Sequence, residues 1–170
     1  MIRLALAIVI AFAGCKPETA RKADRAADDV REQRKELSAA AESEQPAKVV
    51  VEVEELSEAE RLFTERKRIR IAALRGEHSV ISTQAMLIST LAEYFPLTDA
   101  GRADINNKLT AFHRRLDEAR NQIEGLGRTG ADVWTQRDDA VREAMNALET
   151  ARKDAWRALE DAPRIDPNAS

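Results

Sequence analysis

The most distinctive reactive group in this 170-residue chain is Cys15, its only cysteine. A lone thiol has no partner for a disulfide within the chain, so its position needs another explanation. It follows Arg3, the apolar run 4–13 and the small residue Gly14. Ten residues of helix extend about 15 Å, which is half of a hydrocarbon core of about 30 Å. A short basic start, a short apolar stretch and small residues before the cysteine predict a secretory signal peptide over residues 1–14 rather than a membrane-spanning helix.

The four residues Phe12-Ala13-Gly14-Cys15 resemble the lipobox of bacterial lipoproteins, with phenylalanine where that family usually has leucine. In that family the cysteine is acylated with palmitate-type chains and the signal peptide is cleaved just before it. The resemblance implies a stable membrane anchor on Cys15, because several acyl chains bind a bilayer firmly whereas one chain binds marginally. It also implies a cell-envelope location. Lys16, where some lipoproteins carry an inner-membrane retention aspartate, favours the outer membrane, at its periplasmic face or at the surface. An ordinary signal peptide with a leftover thiol remains the alternative.

A glycine pattern at residues 125–130 matches the G-x-G-x-x-G motif of dinucleotide-binding proteins. That motif binds pyrophosphate when a strand delivers the glycines and a helix begins after them. Here a helical pattern precedes the glycines and no βαβ unit surrounds them. The pattern therefore predicts the end of one helix and a tight turn.

A histidine and a carboxylate, His113 and Asp117, are spaced one helical turn apart and could face the same side of a helix. One histidine and one carboxylate do not define a metal site, and Arg114 and Arg115 flank this histidine. The sequence also contains no Ser-x-x-Lys or G-x-S-x-G motif and no Cys-His signature for a nucleophile. We therefore predict a protein that is not an enzyme and has no metal site and no cofactor.

Basic residues are concentrated between positions 61 and 75, although the whole chain has a net charge of -3 from 27 basic and 30 acidic residues. The overall balance gives no bias toward nucleic acid, and none is predicted as a partner. A local basic group can contact anionic lipid headgroups, with about 1 kcal/mol for each residue near the surface. The alternative is a solvated face paired with acidic neighbours. The predicted headgroup-contact residues, called the basic group below, are Arg66, Lys67, Arg68, Arg70 and Arg128.

The composition indicates helices as the elements that carry these residues. Hydrophobic residues make up 44% and charged residues 34%, while aromatic residues are only 4% and glycine and proline are scarce. This mixture is typical of long helices and coiled coils, and the length suits one domain with appendages. Residues 15–45 have apolar positions at helical spacing that are nearly all alanine, which predicts a solvated helical stalk because buried alanines contribute little. Residues 46–56, with Pro46 and several valines, are predicted to be a linker.

Residues 57–162 show three amphipathic helical segments. Ser57 and Glu60 form a capping-box pattern for the first segment, and Pro96 ends it. Thr98 is the predicted N-cap of the second, and the third ends before Pro163. We predict an all-α fold: an up-down-up three-helix antiparallel bundle, coiled-coil-like, preceded by the alanine-rich stalk and followed by a flexible tail at 163–170. The most regular apolar seam is Ile105, Leu109, Phe112, Leu116, Ala119, Ile123 and Leu126. The third segment presents Trp134, Val141, Met145, Leu148, Ala155 and Leu159. In the first segment, pairs of apolar positions recur every seven residues, at Ala73/Leu74, Val80/Ile81, Leu87/Ile88 and Tyr94/Phe95.

Together these features predict a lipid-anchored envelope protein whose helical domain is a non-catalytic scaffold or interaction module. Its partner would be another protein or a second copy of the chain, bound through the helices. The alternative is a periplasmic chaperone or stress-binding protein. Leu97-Thr98-Asp99 resembles part of the Leu-Thr-x-x-Gln element of small helical periplasmic stress chaperones, with Gly101 at the glutamine position.

Overall fold

The computed structural model describes residues 16–43 and 46–165, and within these ranges the chain is all-helical. Four long helices follow one another, with a short 3-10 turn at Ala131–Val133 before the last. None of the described helices combines the length and hydropathy needed to span a bilayer. The helices are α1 (Glu18–Glu42), α2 (Pro46–Tyr94), α3 (Asp99–Gly127) and α4 (Trp134–Asp161).

The 49-residue helix α2 contacts each of the other three long helices, and α3 and α4 also pack extensively on each other. From Phe63 onward, α2 runs alongside α4 in the same direction. The Phe63 ring packs edge-on to the Trp134 ring at 5.4 Å near the start of α4, and Arg152 donates to the Gln84 side chain at 3.1 Å further along both helices. Since each helix rises about 1.5 Å per residue, these two contacts keep the helices in register over about 30 Å.

Helix α3 runs antiparallel to α2. A ring nitrogen of His78, Nε2, lies 2.9 Å from the Leu116 carbonyl, and Arg102 donates to the Ala92 carbonyl at 3.3 Å. Thr98 is the N-cap of α3, since its hydroxyl accepts from the Gly101 N–H at 3.2 Å, which confirms the predicted cap.

The apolar seams predicted for α3 and α4 are confirmed, because every residue of both is buried. In α2 only one side of the predicted apolar pairs is in the core: Leu74, Ile81 and Ile88 are buried, whereas their neighbours Val80 and Leu87 are exposed. The buried seam of α4 is Trp134, Val141, Met145, Leu148, Ala155 and Leu159.

The predicted linker at 46–56 is wrong, because these residues are helical and continuous with the helix that follows. Pro46 is the first residue of α2, a position where its fixed φ suits a helix and its missing N–H is not needed. Ser57 consequently lies inside α2 and caps nothing. The strand-prone valines Val50 and Val53 lie on the exposed side of this helix.

The predicted helix of the stalk is present as α1, but the prediction that it is solvated is wrong. Ala20, Ala23 and Ala27 are fully buried, and Val30 is 1% exposed. Helix α1 packs antiparallel to the first half of α2, where Arg34 reaches Glu60 at 3.1 Å. Small side chains permit close approach of two helix backbones, so an alanine stripe can be an interface even though each methyl contributes little area.

The C-terminal segment through Ile165 is held by backbone hydrogen bonds, contrary to the predicted flexible tail. Thr98 N–H donates to the Pro163 carbonyl at 3.0 Å, and Ile165 N–H donates to the Pro96 carbonyl at 2.7 Å. A Cβ on Gly101 would lie 3.1 Å from Pro163, so this crossing favours glycine at that position. Residues 166–170, the rest of the predicted tail, lie outside the described ranges.

Candidate interaction surfaces

The predicted lipidation residue, Cys15, lies outside the described residues, and so do the signal-peptide residues 1–14. The next residue, Lys16, is held against the bundle. Its ammonium group lies 2.5 Å from Asp24 and 3.2 Å from Asp139 of α4. Burial by itself would lower the pKa of Lys16, but hydrogen bonds and the charges of the two carboxylates raise that pKa above its ordinary value. The position where an anchor would join the described fold is therefore beside α4, near Asp139.

The predicted basic group does not form one continuous surface. Successive residues of a helix differ by about 100° around its axis, so Arg66, Lys67 and Arg68 point in three directions. Arg68 and Arg128 are exposed and Arg66 is half-buried. The group is thus divided between residues that can reach an anionic surface and residues that face the protein.

Lys67 is one of the inward-facing members of the basic group. Its ammonium group donates to the Thr129 carbonyl at 2.5 Å and lies 5.9 Å from the centre of the Phe63 ring. Burial lowers the pKa of Lys67. The contact fastens the turn after α3 to α2, which leaves less of this side chain for a lipid headgroup.

Arg70 was predicted to contact headgroups, and this prediction is wrong because the side chain is 2% exposed. Its Nε donates to Asp138 Oδ1 at 2.8 Å, and the Asp138 side chain is fully buried. Because Asp138 and Arg142 are four residues apart on a helix, their spacing alone favours a surface ion pair between them. In the structure Asp139 makes that pair at 3.1 Å, and Asp138 faces the core instead.

This buried ion pair has few additional hydrogen bonds among the described residues. Nη1 of Arg70, Oδ2 of Asp138 and the indole N–H of Trp134 are buried without a partner there. Two charges removed from water lose more hydration than a single hydrogen bond restores, so such a pair positions α2 against α4 more than it stabilises the fold. Glu77, two helical turns further along α2, is also half-buried, and burial raises its pKa although the charge of Arg70 opposes this.

A stripe of apolar residues lies on the solvent side of α2. Val80, Leu87 and Tyr94 recur every seven residues and are 43%, 47% and 83% exposed, and Met86 beside them is 63% exposed. A coiled-coil seam repeats apolar residues at two positions of every seven, and Val80, Leu87 and Tyr94 occupy one such position in successive heptads. We call these four residues the α2 stripe. The sequence signal was the apolar pairs, and it could not say that one member of each pair would stay outside the core.

The glycine-rich residues 125–130 and the pair His113 and Asp117 are the remaining candidate sites. The glycine-rich residues end α3, where the N–H of Arg128 donates to the Gly125 carbonyl at 3.0 Å, as predicted for a helix terminus. His113 is exposed and stacks on the Phe112 ring, with ring centres 6.5 Å apart. Asp117 lies 3.7 Å from Arg120.

Comparison with known proteins finds no family model, no curated protein sequence and no solved structure that matches this chain.

Proposed function

We propose that this chain is a membrane-anchored cell-envelope lipoprotein, acylated on Cys15, whose helical domain is a non-catalytic scaffold that binds a partner helix. The observation that carries the scaffold function is the α2 stripe. Its apolar side chains are exposed at coiled-coil spacing on a helix whose opposite side is already packed. Contiguous apolar surface on a soluble domain usually marks a site of association.

The proposal includes the arrangement of the four helices. Helix α3 runs against α2, and α4 runs alongside α2 in its direction, which is the order of an up-down-up three-helix bundle. Helix α1 takes the place of the stalk and is packed beside this bundle. This arrangement leaves the face of α2 that carries Leu87 exposed to solvent, where a partner helix can dock.

The anchor supports an envelope location. Acylation at Cys15 would attach the membrane directly before Lys16, which the contacts with Asp24 and Asp139 fix beside α4. We infer that the outer membrane holds the protein, on the strength of Lys16 following the cysteine.

Acylation is tested by intact mass measurement of the protein purified from its native host. The expected result is a chain that begins at Cys15 and carries acyl chains. The variant Cys15→Ser should lose the acyl mass and leave the membrane fraction. A native chain with an unmodified residue 15 would refute the anchor.

The scaffold function is tested by a photo-crosslinking residue placed at Leu87 in native envelopes. The matched control carries the same residue at Asn107, which is an exposed polar position on α3. We expect an adduct of one defined mass at position 87 and none at position 107, and we expect the double substitution Val80→Ser and Tyr94→Ser to abolish it. An adduct that survives this double substitution, or equal labelling at both positions, would contradict a docking function for the α2 stripe.

The chaperone alternative would use the same exposed apolar side chains without a defined partner. Suppression of aggregation of an unfolded client, lost in the Leu87→Ser variant, combined with no defined adduct in the envelope would favour that alternative.

A further inference from the structure

Three glutamates from two helices come together near the connection between α1 and α2. One carboxylate oxygen from each of Glu36, Glu52 and Glu55 lies within 4.8 Å of the other two. Glu36 belongs to α1, and the other two belong to the first turns of α2. We call these three residues the glutamate cluster.

Glu52 is the residue that sets this cluster apart from an ordinary acidic surface. Its side chain is only 9% exposed, and its Oε2 atom is buried without a hydrogen-bond partner among the described residues. A buried carboxylate oxygen that has lost its water and gained no donor is unfavourable. Two further negative charges at this distance make the arrangement worse.

The neighbouring side chains of the described residues do not neutralise the cluster. No Lys or Arg nitrogen in residues 16–43 and 46–165 lies within 4.0 Å of its carboxylates. Gln33 is a polar neighbour, and its amide Nε2 donates to Glu36 Oε2 at 2.9 Å. The amide oxygen of Gln33 is itself buried without a partner, so a second unpaired oxygen lies beside the cluster.

We propose that the glutamate cluster binds a divalent cation, and that Ca²⁺ fits it better than Mg²⁺. Both are hard cations that prefer oxygen ligands. Ca²⁺ accepts flexible geometry and several carboxylate ligands, whereas Mg²⁺ gives up its water reluctantly and is usually bound through only one or two carboxylates. The three carboxylate oxygens all lie within 4.8 Å of one another, so a single Ca²⁺ ion can contact all of them. Water completes the coordination on the open side, where Glu36 and Glu55 are exposed.

The bound cation would join α1 to α2. The α1 interface is built largely from alanines, so an ion held by one ligand on α1 and two on α2 adds a link that side-chain packing does not supply. Sites with few protein ligands and open coordination bind Ca²⁺ with Kd values on the order of 10⁻⁴–10⁻³ M. This inference does not depend on acylation or on the α2 stripe.

The experiment is calorimetric titration of the full chain in a non-ionic detergent with CaCl₂ and, separately, MgCl₂, at 150 mM NaCl. We expect saturable Ca²⁺ binding at one site, weaker Mg²⁺ binding, and a rise in Tm of about 3–10 °C at 10 mM CaCl₂ relative to EDTA. The variant Glu55→Gln removes an exposed ligand without disturbing the core and should weaken Ca²⁺ binding at least tenfold. The matched control, Glu54→Gln, removes the same charge from the adjacent residue outside the cluster and should change the Kd less than twofold.

Substitution of the buried ligand Glu52 gives a second test, because it should maintain or raise Tm without Ca²⁺ while removing the rise in Tm that Ca²⁺ causes. Glu52→Gln keeps the shape of the side chain and removes its charge, so in EDTA its Tm should equal or exceed that of the native chain, while its Ca²⁺ response is lost. Absence of saturable Ca²⁺ binding up to 10 mM would overturn the proposal. Equal weakening by Glu54→Gln and Glu55→Gln would also overturn it, because diffuse attraction to an acidic surface would then explain the binding.

Discussion

At the scale of single residues, the interior of the bundle contains charge that the sequence did not reveal. The Arg70–Asp138 pair is buried between α2 and α4 with one hydrogen bond of 2.8 Å. Removing one partner leaves the other charge uncompensated in the core, whereas replacing both by apolar residues removes the hydration cost of both. The two kinds of substitution therefore have effects of different size.

We expect Asp138→Ala to lower the free energy of unfolding by about 3–5 kcal/mol, because it isolates the Arg70 guanidinium. The double variant Arg70→Met and Asp138→Leu should recover most of this loss. Urea denaturation followed by circular dichroism measures both. Glu143→Gln, an exposed carboxylate on the same helix, is the control and should change stability by less than about 0.5 kcal/mol. A double variant as unstable as Asp138→Ala would show that the pair is needed for more than charge compensation.

Glu77 gives a pH-dependent prediction. Burial raises the pKa of its carboxyl above the ordinary 4.5, so its contribution to stability is fully present below pH 4.5 and is lost as the pH rises through the folded-state value. Glu77→Gln removes the charged form and should be more stable than the native chain at pH 7. At pH 4 the two should have nearly equal urea midpoints. The control is Glu65→Gln, which removes the same charge from an exposed carboxylate of α2 and should change stability by less than about 0.5 kcal/mol. A stability gain from Glu77→Gln that is the same at both pH values would contradict this assignment.

At the scale of the elements, the sequence predicted helix existence better than helix environment. The 3-and-4 spacing of apolar residues in α3, from Ile105 to Leu126, identified its buried face correctly. These residues occupy a single face of the helix, and a single apolar face is the one that packs in the core. In α2 the apolar residues occupy two faces, and a sequence alone does not say which face meets α3 and α4. The paired pattern therefore groups Val80 and Leu87 with the core residues, although they lie outside the core.

Two errors at this scale have the same physical origin. The small burial energy of alanine assigns α1 to a solvated stalk, and the strand preference of valine assigns residues 46–56 to a linker that is not helical. Packing of α1 on the first half of α2 overrides these weak local preferences. The basic group was likewise defined by position along the chain. That definition ignores the rotation of about 100° per residue around the helix, which turns Arg70 toward the core.

The α1 interface can be tested by one large side chain. Ala27 is fully buried, so Ala27→Leu should overpack the interface and lower the free energy of unfolding by about 1–3 kcal/mol. Ala39→Leu makes the same change at an exposed position of the same helix and should be nearly neutral. Thermal unfolding of both variants decides the matter. If Ala27→Leu were as stable as Ala39→Leu, α1 would behave as the solvated stalk that the sequence suggested.

At the scale of the whole molecule, Lys16 and the members of the basic group that reach solvent lie at similar positions along the axis of α2. Lys16 reaches Asp139, one residue after the partner of Arg70, and Lys67 touches the turn that also carries Arg128. An anchor on Cys15 would bring this middle part of the molecule to the bilayer. Glu52 and Glu55 precede Arg66 and Arg68 by 11 to 16 residues of α2, which is about 15–25 Å along the helix. This separation exceeds a Debye length of about 8 Å, so the negative charge of the glutamate cluster is largely screened from these arginines.

Headgroup contact should then depend on the members of the basic group that reach solvent. Because Arg66 and Arg68 point in different directions, not all of the basic residues can touch one flat bilayer together. We therefore expect substitution of Arg66, Arg68 and Arg128 with glutamine to weaken binding of a chain that begins at Lys16 to anionic liposomes about 5- to 30-fold at low salt, at about 1 kcal/mol for each residue near the surface. Circular dichroism checks that the variant is folded, and sedimentation with liposomes at increasing salt measures the binding. The binding should fall with salt in the native chain and be nearly salt-independent in the variant. The control substitutes the α3 arginines Arg114, Arg115 and Arg120 with glutamine, which makes the same change in net charge. Equal weakening of liposome binding by the two triple variants would show general attraction and reject a defined headgroup surface.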